Sequence, residues 1–372
     1  MVLTYVTLAG ALLWLVILML PWRPWSTRES LDTDEGSVMS DLSQLTVLIP
    51  ARNEEAVIGR TLNALKNQGK GLQVIVIDDE SEDKTIDAAM QAGLNNLKIL
   101  HGKPLPTGWS GKLWALEQGS KSITTPFILL IDADIELAPG IISSLLCKMN
   151  SDCIHFISLM AELRMENFWE RLLMPAFVYF FKLLYPFALS NSSFPLVAAA
   201  AGGCIMVETR ALNAVGGFES IRDALIDDCA LARRVKSHGF NTWIGLTHSV
   251  HSHRPYERLS HIWNMVARTA FTQLMYSRLL LLLCTAILIL AFIAPVSGLF
   301  LPGTLPKLAG IVGLTAMFIT CIPVLRFYRR SIAWGFAMPF IGTLYLAMTW
   351  TSAFRYWLGT RSQWKNRIYS KN

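Results

Sequence analysis

Four stretches of this 372-residue chain carry no charged side chain: residues 2 to 20, 279 to 300, 308 to 325 and 331 to 354. A helix needs roughly 20 apolar residues to cross a bilayer, and in hydrocarbon only a helix or a closed barrel satisfies the backbone. All four are therefore candidate spans, and they bracket a middle region of ordinary charge content. The first has no basic residue ahead of it and no small-x-small pattern after it, which predicts an uncleaved anchor in preference to a removed leader.

Basic residues set the expected orientation. Arg23 and Arg28 follow the first stretch, which places the middle region in the cytoplasm, and Arg278 opens the second stretch on that side. The third exits into Arg326, Arg329 and Arg330, a return to the cytoplasm. A fourth full crossing would export the tail bearing Arg355, Arg361, Lys365, Arg367 and Lys371, so one C-terminal stretch is expected to be re-entrant or interfacial. The predicted layout is an anchor over 1–21, a polar linker over 22–44, an α/β domain over 45–270, membrane helices over 278–356 and a basic tail over 357–372. Residues 168–189, apolar but broken by Arg171, Pro175, Lys182 and Pro186, are predicted to lie at the membrane surface.

The net charge of +6 comes partly from these juxtamembrane cations, which suit anionic headgroups. No basic patch with interleaved stacking aromatics accompanies them, which argues against nucleic acid as a partner. The six cysteines show no metal-ligand pairing and read as reduced thiols.

Between residues 43 and 250, short β-branched runs alternate with amphipathic segments, the pattern of an open α/β sheet. Strands are predicted at 45–50, 72–78, 97–100 and 127–132, and helices at 54–67, 83–92, 112–121 and 139–148. In such sheets ligands bind beyond the carboxyl ends of the strands. The residues found there are PARNEE (50–55), DDES (78–81) and DAD (132–134), and a further helix opens on Asp227 and Asp228. Glu55, Asp78, Asp79, Asp132, Asp134, Asp227 and Asp228 would repel one another if gathered, so compensating positive charge is required. GxGxxG and GxxxxGK[ST] are absent, which excludes the usual dinucleotide and P-loop sites.

VLIPARNEE, VIVIDDES, LLIDADI and LIDDCALARRVKSHG, in this order and spacing, resemble a family 2 glycosyltransferase. The resemblance covers roughly residues 45 to 250 and implies a GT-A fold, a Rossmann-like α/β domain for nucleotide-diphospho-sugars, here with N- and C-terminal transmembrane helices. GWSGKLWALEQG, ALIDDCALARRVK and NMVARTAFTQLMYS resemble the bacterial hopanoid-associated branch.

What the resemblance implies can be set against what sugar transfer requires: a held base, a neutralised diphosphate and a deprotonated acceptor. Pro50, Arg52, Asn53 and Glu55 would surround the ribose and base, with Asn53 also capping the helix that follows. Asp78 and Asp79 would accept from the base imide or the ribose, Lys112 would reach the nucleotide, and Arg268 would contact the diphosphate. Asp132 and Asp134 flank Ala133, so in an extended strand both face one side, suited to one Mg or Mn ion completed by phosphate oxygens. Asp228 would be the catalytic base of an inverting transfer, with AAAAGGC (198–204) as a loop over the sugar.

The QxxRW of processive synthases is missing; the corresponding region reads MVARTAFTQL. His248, His251 and His253 lack a fourth zinc ligand nearby, and WKNRIY (364–369) resembles a tail motif of lipid glycosyltransferases. The expected protein is a multi-pass enzyme of the inner (cytoplasmic) membrane that moves sugar from a cytoplasmic nucleotide-sugar to a membrane lipid, a hopanoid foremost. Rival acceptors are ceramide, diacylglycerol, polyprenyl phosphate and carotenoid, and rival functions are polysaccharide synthesis and a nucleotide-binding scaffold.

Overall fold

The computed structural model describes residues 1–33 and 41–359, and the backbone of two short paired strands, Gln363–Trp364 and Arg367–Ile368. Residues 34–40 of the linker lie outside the described residues, as do Arg361, Lys365, Lys371 and the side chains of the WKNRIY motif. The chain divides into two compact units, one of residues 1–28, 165–188 and 256–362, the other of residues 29–164, 189–255 and 363–372.

The first unit is helical. Its elements are α1 (Val2–Met19), α6 (Phe168–Leu184), α10 (Leu259–Gln273), α11 (Arg278–Leu288), α12 (Ala294–Gly298), α13 (Thr304–Phe327) and α14 (Met338–Trp357). A π-helical turn (Ile289–Ile293) joins α11 to α12, so the helical run Arg278–Gly298 is 21 residues long. That run, α1, α13 and Ile332–Trp357 are long and apolar enough to cross a membrane. The last of these is the one whose flanking charges argue against a full crossing, and it meets the same length.

In lipid there is no hydrophobic drive between helices, so small residues that permit close approach carry the packing. A Cβ on Gly10 of α1 would lie 2.4 Å from the Leu290 carbonyl oxygen, and one on Gly342 of α14 would lie 2.2 Å from the Phe292 ring. Beside them the buried Trp14 donates its indole N–H to the Ala291 carbonyl at 2.6 Å, inside the π turn.

Helix α6 is an integral element of the helical unit. A capping box formed by Asn167 and Glu170 starts it, and its inward residues pack on α13 and α14, with Tyr179 bonded to Thr320 and Tyr345 bonded to the Leu173 carbonyl. Even Glu170 and Lys182 are buried, Lys182 over the Phe187 ring, while Phe168 and Leu184 stay exposed. Its polar breaks are thus taken up by capping and aromatic contact within the helical unit.

The second unit is a three-layer α/β domain. Its strands are β1 (Leu45–Ala51), β2 (Gln73–Asp78), β3 (Leu97–His101), β4 (Phe127–Ile131), β5 (Ile135–Leu137), β6 (Phe156–Glu162), β7 (Cys204–Glu208) and β8 (Thr242–Ser252). They form one sheet in the order β3-β2-β1-β4-β7-β6-β8-β5. β3, β2, β1 and β4 are parallel, whereas β7 runs antiparallel to β4 and β6, and β5 antiparallel to β8. The helices are α2 (Ile58–Lys66), α3 (Thr85–Gln91), α4 (Gly111–Ser120), α5 (Ile141–Ser151), α8 (Thr209–Ala214) and α9 (Asp227–Ser237), and α7 (Phe187–Ser190) lies where the chain enters this unit.

Alternation along the parallel strands builds two cores. Val47, Ile49, Val74 and Val76 face α2 and α5 through Leu62, Leu65, Ile141 and Leu145. Leu48, Ile75, Ile77 and Leu130 face the other way, onto Leu113 and Leu116 of α4 and Leu231 and Val235 of α9. Between the two unlike neighbours of β1 the sheet reverses its winding, and that is where polar strand ends can open into a cleft.

β8 is only partly covered by β5. The remainder of its edge is taken by residues 29–33, which bridge in parallel at Ser30 and Leu246 and bond in both directions between Leu246 and residues 29 and 31. Asp32 Oδ1 accepts from Thr247 Oγ1 (2.8 Å), His248 N–H (2.6 Å) and Ser249 Oγ (2.9 Å). The segment closes an edge that would otherwise offer unpaired backbone groups.

Substituting Gly10 by valine forces α1 away from the Leu290 carbonyl. The expected cost is about 1–3 kcal/mol of overpacking, read as a lower thermal midpoint of the detergent-solubilised protein, while an equivalent change at Gly59, whose Cβ would meet nothing within 4 Å, leaves the midpoint in place.

Candidate active site

The site is built at the carboxyl ends of β1, β2 and β4, and Lys112 is its hub. Ser110 caps α4, accepting the Leu113 N–H, which puts Lys112 in the first helical turn. A cation there opposes the helix dipole. It is held by two carboxylates from distant sequence, Asp132 after β4 at 2.7 Å and Asp227 at the start of α9 at 3.6 Å. Burial disfavours the ammonium, but Asp132 and Asp227 outweigh it and the Lys112 pKa is raised, so this lysine stays charged.

Asp228 shares the pocket. Pro50, Lys112, Asp132, Gly202, Asp227 and Asp228 line one small cavity, floored by Leu116, Ile205 and Leu231. The Asp228 carboxylate accepts from the Cys229 N–H at 2.7 Å. Burial and then the neighbouring Asp227 push its pKa up to about 7, against the opposing pull of the Cys229 N–H, Lys112 and the Gly202 N–H. Gly202 is where the small-residue run meets this carboxylate: a Cβ there would come within 3.2 Å of Lys112 Nζ and 3.3 Å of Asp228 Oδ2.

Asp134 faces different partners. The residues between β4 and β5 form a turn, closed by the Ile135 N–H on the Asp132 carbonyl (3.1 Å), and not the extended strand the alternation suggests. Asp132 consequently meets Lys112, whereas Asp134 accepts from Ser252 Oγ at 2.7 Å and from Arg254 Nη2 at 3.2 Å. The same guanidinium reaches Glu54 Oε1 at 3.2 Å. Burial opposes ionisation of Asp134, yet Arg254 and Ser252 prevail and its pKa is lowered; burial and then the Asp134 charge raise that of Asp132 in spite of Lys112. Asn53, Glu54, Glu55, Asp83, Asp134 and Arg254 border an open cleft of about 630 Å³.

The remaining predicted residues fall into two groups. Arg52, 8% exposed, donates to the backbone carbonyls of Asp79 and Glu80 (2.9 Å to the latter) and lies 3.6 Å from Glu82, tying the PARNEE turn to the DDES turn. Asn53 is not a helix cap: α2 begins at Ile58, and Asn53 sits at φ 52° with its side-chain oxygen accepting the Glu82 N–H at 2.8 Å. The left-handed backbone suits asparagine, and the carbonyl is used across the cleft instead of along the helix. Glu55 is exposed and accepts from the Lys84 N–H. Asp78 accepts from the Ser81 N–H, and Asp79 is fully enclosed. Arg268 belongs to α10 in the helical unit.

The sequence reading passed over Arg254 and Glu54 and left Gly202 as part of a flexible run. A basic residue just past the end of β8, directly after His253, was the available signal. Those histidines are engaged elsewhere: His248 with Glu162 at 3.0 Å, His251 within 3.8 Å of the same carboxylate, and His253 with Glu136. Among the described residues no group of three or more His, Cys, Asp or Glu side chains converges to hold a metal, zinc included. Asp132 and Asp134 remain as two carboxylates on one turn, the Asp134 charge raising the cost of ionising Asp132, with Asp132 lining the small cavity and Asp134 the open cleft. Such a pair fits Mg or Mn, which take one or two carboxylates and draw their other ligands from phosphate and water.

Residues 46–216 match the family model described as Glycosyl transferase family 2. The 4,4'-diaponeurosporenoate glycosyltransferase of Staphylococcus haemolyticus is 30% identical over 113 residues, which span 30% of this chain and 30% of that protein. The beta-monoglucosyldiacylglycerol synthase of Trichormus variabilis is 25% identical over 373 residues, spanning 90% of this chain and 78% of the relative. Among solved structures, the mannosyltransferase PcManGT from Pyrobaculum calidifontis in complex with GDP-Man and Mn2+ superposes with a TM-score of 0.58 at 16% identity, covering 96% of this chain and 100% of that one. The architecture is a GT-A α/β fold with a mixed sheet and with long apolar helices at both ends of the chain.

Lys112 is one of the groups that hold the Asp228 pKa down, so Lys112→Met moves it further above about 7. The expected readout is an acidic limb of the pH–turnover profile displaced to higher pH, with roughly a tenfold or greater loss at neutral pH. A limb that stays in place shows Asp228 to be insulated from Lys112.

Proposed function

We infer that this chain, whose residues 46–216 match the Glycosyl transferase family 2 model, is a glycosyltransferase of that family and transfers a sugar with inversion from a nucleotide-sugar to a membrane lipid, from the cytoplasmic side of a bacterial inner membrane. The observation that carries the reading is Lys112, one ammonium bonded to the DAD turn and to the acids that open α9. It joins the predicted donor end of the site to the predicted base in a single pocket.

Each chemical requirement finds a residue. Arg52 and Asn53 brace the turns that would frame the nucleotide end, Pro50 and Glu55 line the cavities there, and Asp78 and Asp79 are buried behind them in the DDES turn. Asp132 and Asp134 would hold the divalent ion, which would draw charge from the diphosphate; Lys112 adds a fixed positive charge beside the same pocket. Asp228, with a pKa near 7, can take the acceptor's hydroxyl proton at neutral pH. As that proton leaves, the acceptor oxygen bonds the anomeric carbon, the bond from that carbon to the diphosphate oxygen breaks, and the nucleoside diphosphate departs with the electron pair. Attack opposite the leaving group inverts the centre.

A lipid acceptor is supported by covalent continuity. The catalytic unit is threaded into the helical unit several times along the chain, and that unit carries four membrane-length helices. The names of two relatives, which specify a carotenoid acid and a diacylglycerol glycolipid, speak for the lipid class and for acceptors other than a hopanoid. The hopanoid proposal rests on the GWSGKLWALEQG, ALIDDCALARRVK and NMVARTAFTQLMYS segments. Purified protein in lipid vesicles, given nucleotide-sugars and candidate lipids, is expected to add one sugar per lipid. Products that lengthen with time would instead make it a polymer synthase.

Asp228→Asn is expected to lose about 10²- to 10⁴-fold in turnover while donor binding, measured by calorimetry, is retained; unchanged turnover would remove Asp228 from the role of base, and cellular function left intact by the variant in a protein without turnover would leave a nucleotide-binding scaffold. Because the base must be ionised and its pKa is about 7, turnover of the native enzyme is expected to fall as pH drops through that value. Asp134→Ala is expected to abolish the divalent-ion dependence of nucleotide binding, and a persisting dependence would remove Asp134 from the ion's ligands.

A further inference from the structure

The chain leaves the helical unit at Ala188 and runs to β7 through residues 189–203, which contain no charged side chain. At the tip of this loop Phe194, Pro195 and Leu196 all face outward, Leu196 at 79% exposure. Exposed apolar side chains are ordinary on mobile loops, but this one is fastened. Lys236 of α9 donates to the carbonyls of Leu189 (3.3 Å), Ser190 (2.7 Å) and Val197 (2.7 Å), clasping both stems. Asn191 exchanges two hydrogen bonds with the Ile244 backbone (2.9 and 2.7 Å), Ser190 Oγ takes the Ala199 N–H, and Ser192 Oγ takes the Phe194 N–H.

A loop tied at this many points cannot fold its tip away, so the cost of presenting three consecutive apolar residues is built in. The clasp also fixes what surrounds the tip. After Asp228, α9 contains no acid; its exposed Arg233 stands one turn before Lys236, on the side of the helix that grips the loop stems, while Arg234 turns to the Val215 carbonyl (3.4 Å). An apolar point borne by a cationic helix complements an anionic bilayer, the hydrophobic residues entering the acyl boundary and Arg233 meeting headgroup phosphates.

We propose that residues 194–196 form a rigid membrane-dipping finger of the catalytic unit, which seats in an anionic lipid surface. The finger leads within a few residues to Gly202, where the backbone meets Asp228 and Lys112, so it couples the lipid surface to the wall of the base's pocket. The proposal rests on the membrane reading of the helices and not on sugar transfer.

The test places a nitroxide at Leu196→Cys in full-length protein lacking the reactive thiols Cys147, Cys153 and Cys284, each replaced by serine. The protein is reconstituted in phosphatidylcholine–phosphatidylglycerol vesicles, with Leu283→Cys on α11 and the exposed Lys98→Cys as bilayer and water references. The expected result is a label at 196 relaxed more by oxygen than by a water-soluble nickel chelate, like that at 283 and opposite to that at 98. If 283 reports hydrocarbon and 196 reports water, the finger is overturned and the spanning helices stand. If 196 is shielded from both reagents, a protein surface covers it and the proposal fails. If 283 itself reports water, the membrane reading falls and the finger with it.

Discussion

Like charges do not assemble without compensation, and the catalytic unit is arranged around that fact. Asp132, Asp134, Asp227, Asp228 and Glu54 come together only because Lys112 and Arg254 are set between them, one at each side of the DAD turn. Neither cation is local to the acids it serves: Arg254 and Asp134 are 120 residues apart. The sheet order is what makes such pairings available, since β8 delivers Arg254 at the end of the sheet where β4 delivers its acids. The residual repulsion shows in Asp228, which burial and Asp227 keep near the point of holding its proton at neutral pH. Between the ordinary carboxylate value and about 7, the folded chain binds a proton there that the unfolded chain has released, so that group weakens the fold as pH rises through this window.

Much of the parallel half of the sheet was legible in the sequence, because continuous apolar strands buried on both faces and short connections leave a plain local pattern. The strands at 45–50, 72–78, 97–100 and 127–132 are found within a residue or so, and α9 opens on Asp227 with Gly239 following it in the left-handed region. The other half was not read. β6, β7 and β8 pair across long separations in mixed directions, and β5 is three residues long. Such register is set by tertiary pairing and not by local period.

The misread details of the site have one cause. The strand-end residues were assigned regular geometry where the chain has turned. Asn53 was expected to cap a helix but lies at positive φ, several residues before the helix starts. Asp132 and Asp134 were expected to share a strand face but sit on a turn that sends them to separate cations. The carboxyl edge of an α/β sheet is where period-based inference expires, and it is also where the chemistry is placed. Asp132, Asp227 and Asp228 line the small cavity and Glu55 and Asp134 the open cleft, whereas Asp78 and Asp79 line neither.

The strap between α1 and β1 carries a practical consequence. Residues 29–33 occupy the flank of β8 and supply Asp32 as acceptor to three successive residues of that strand. A soluble fragment trimmed to start at the first strand of the sheet would bare the Leu246 amide and carbonyl and a ribbon of hydrogen-bonding backbone ready to recruit a foreign strand. The α/β unit therefore begins at Glu29, ahead of residue 46 where the family match starts, and a crystallographer who cuts between them should expect oligomers.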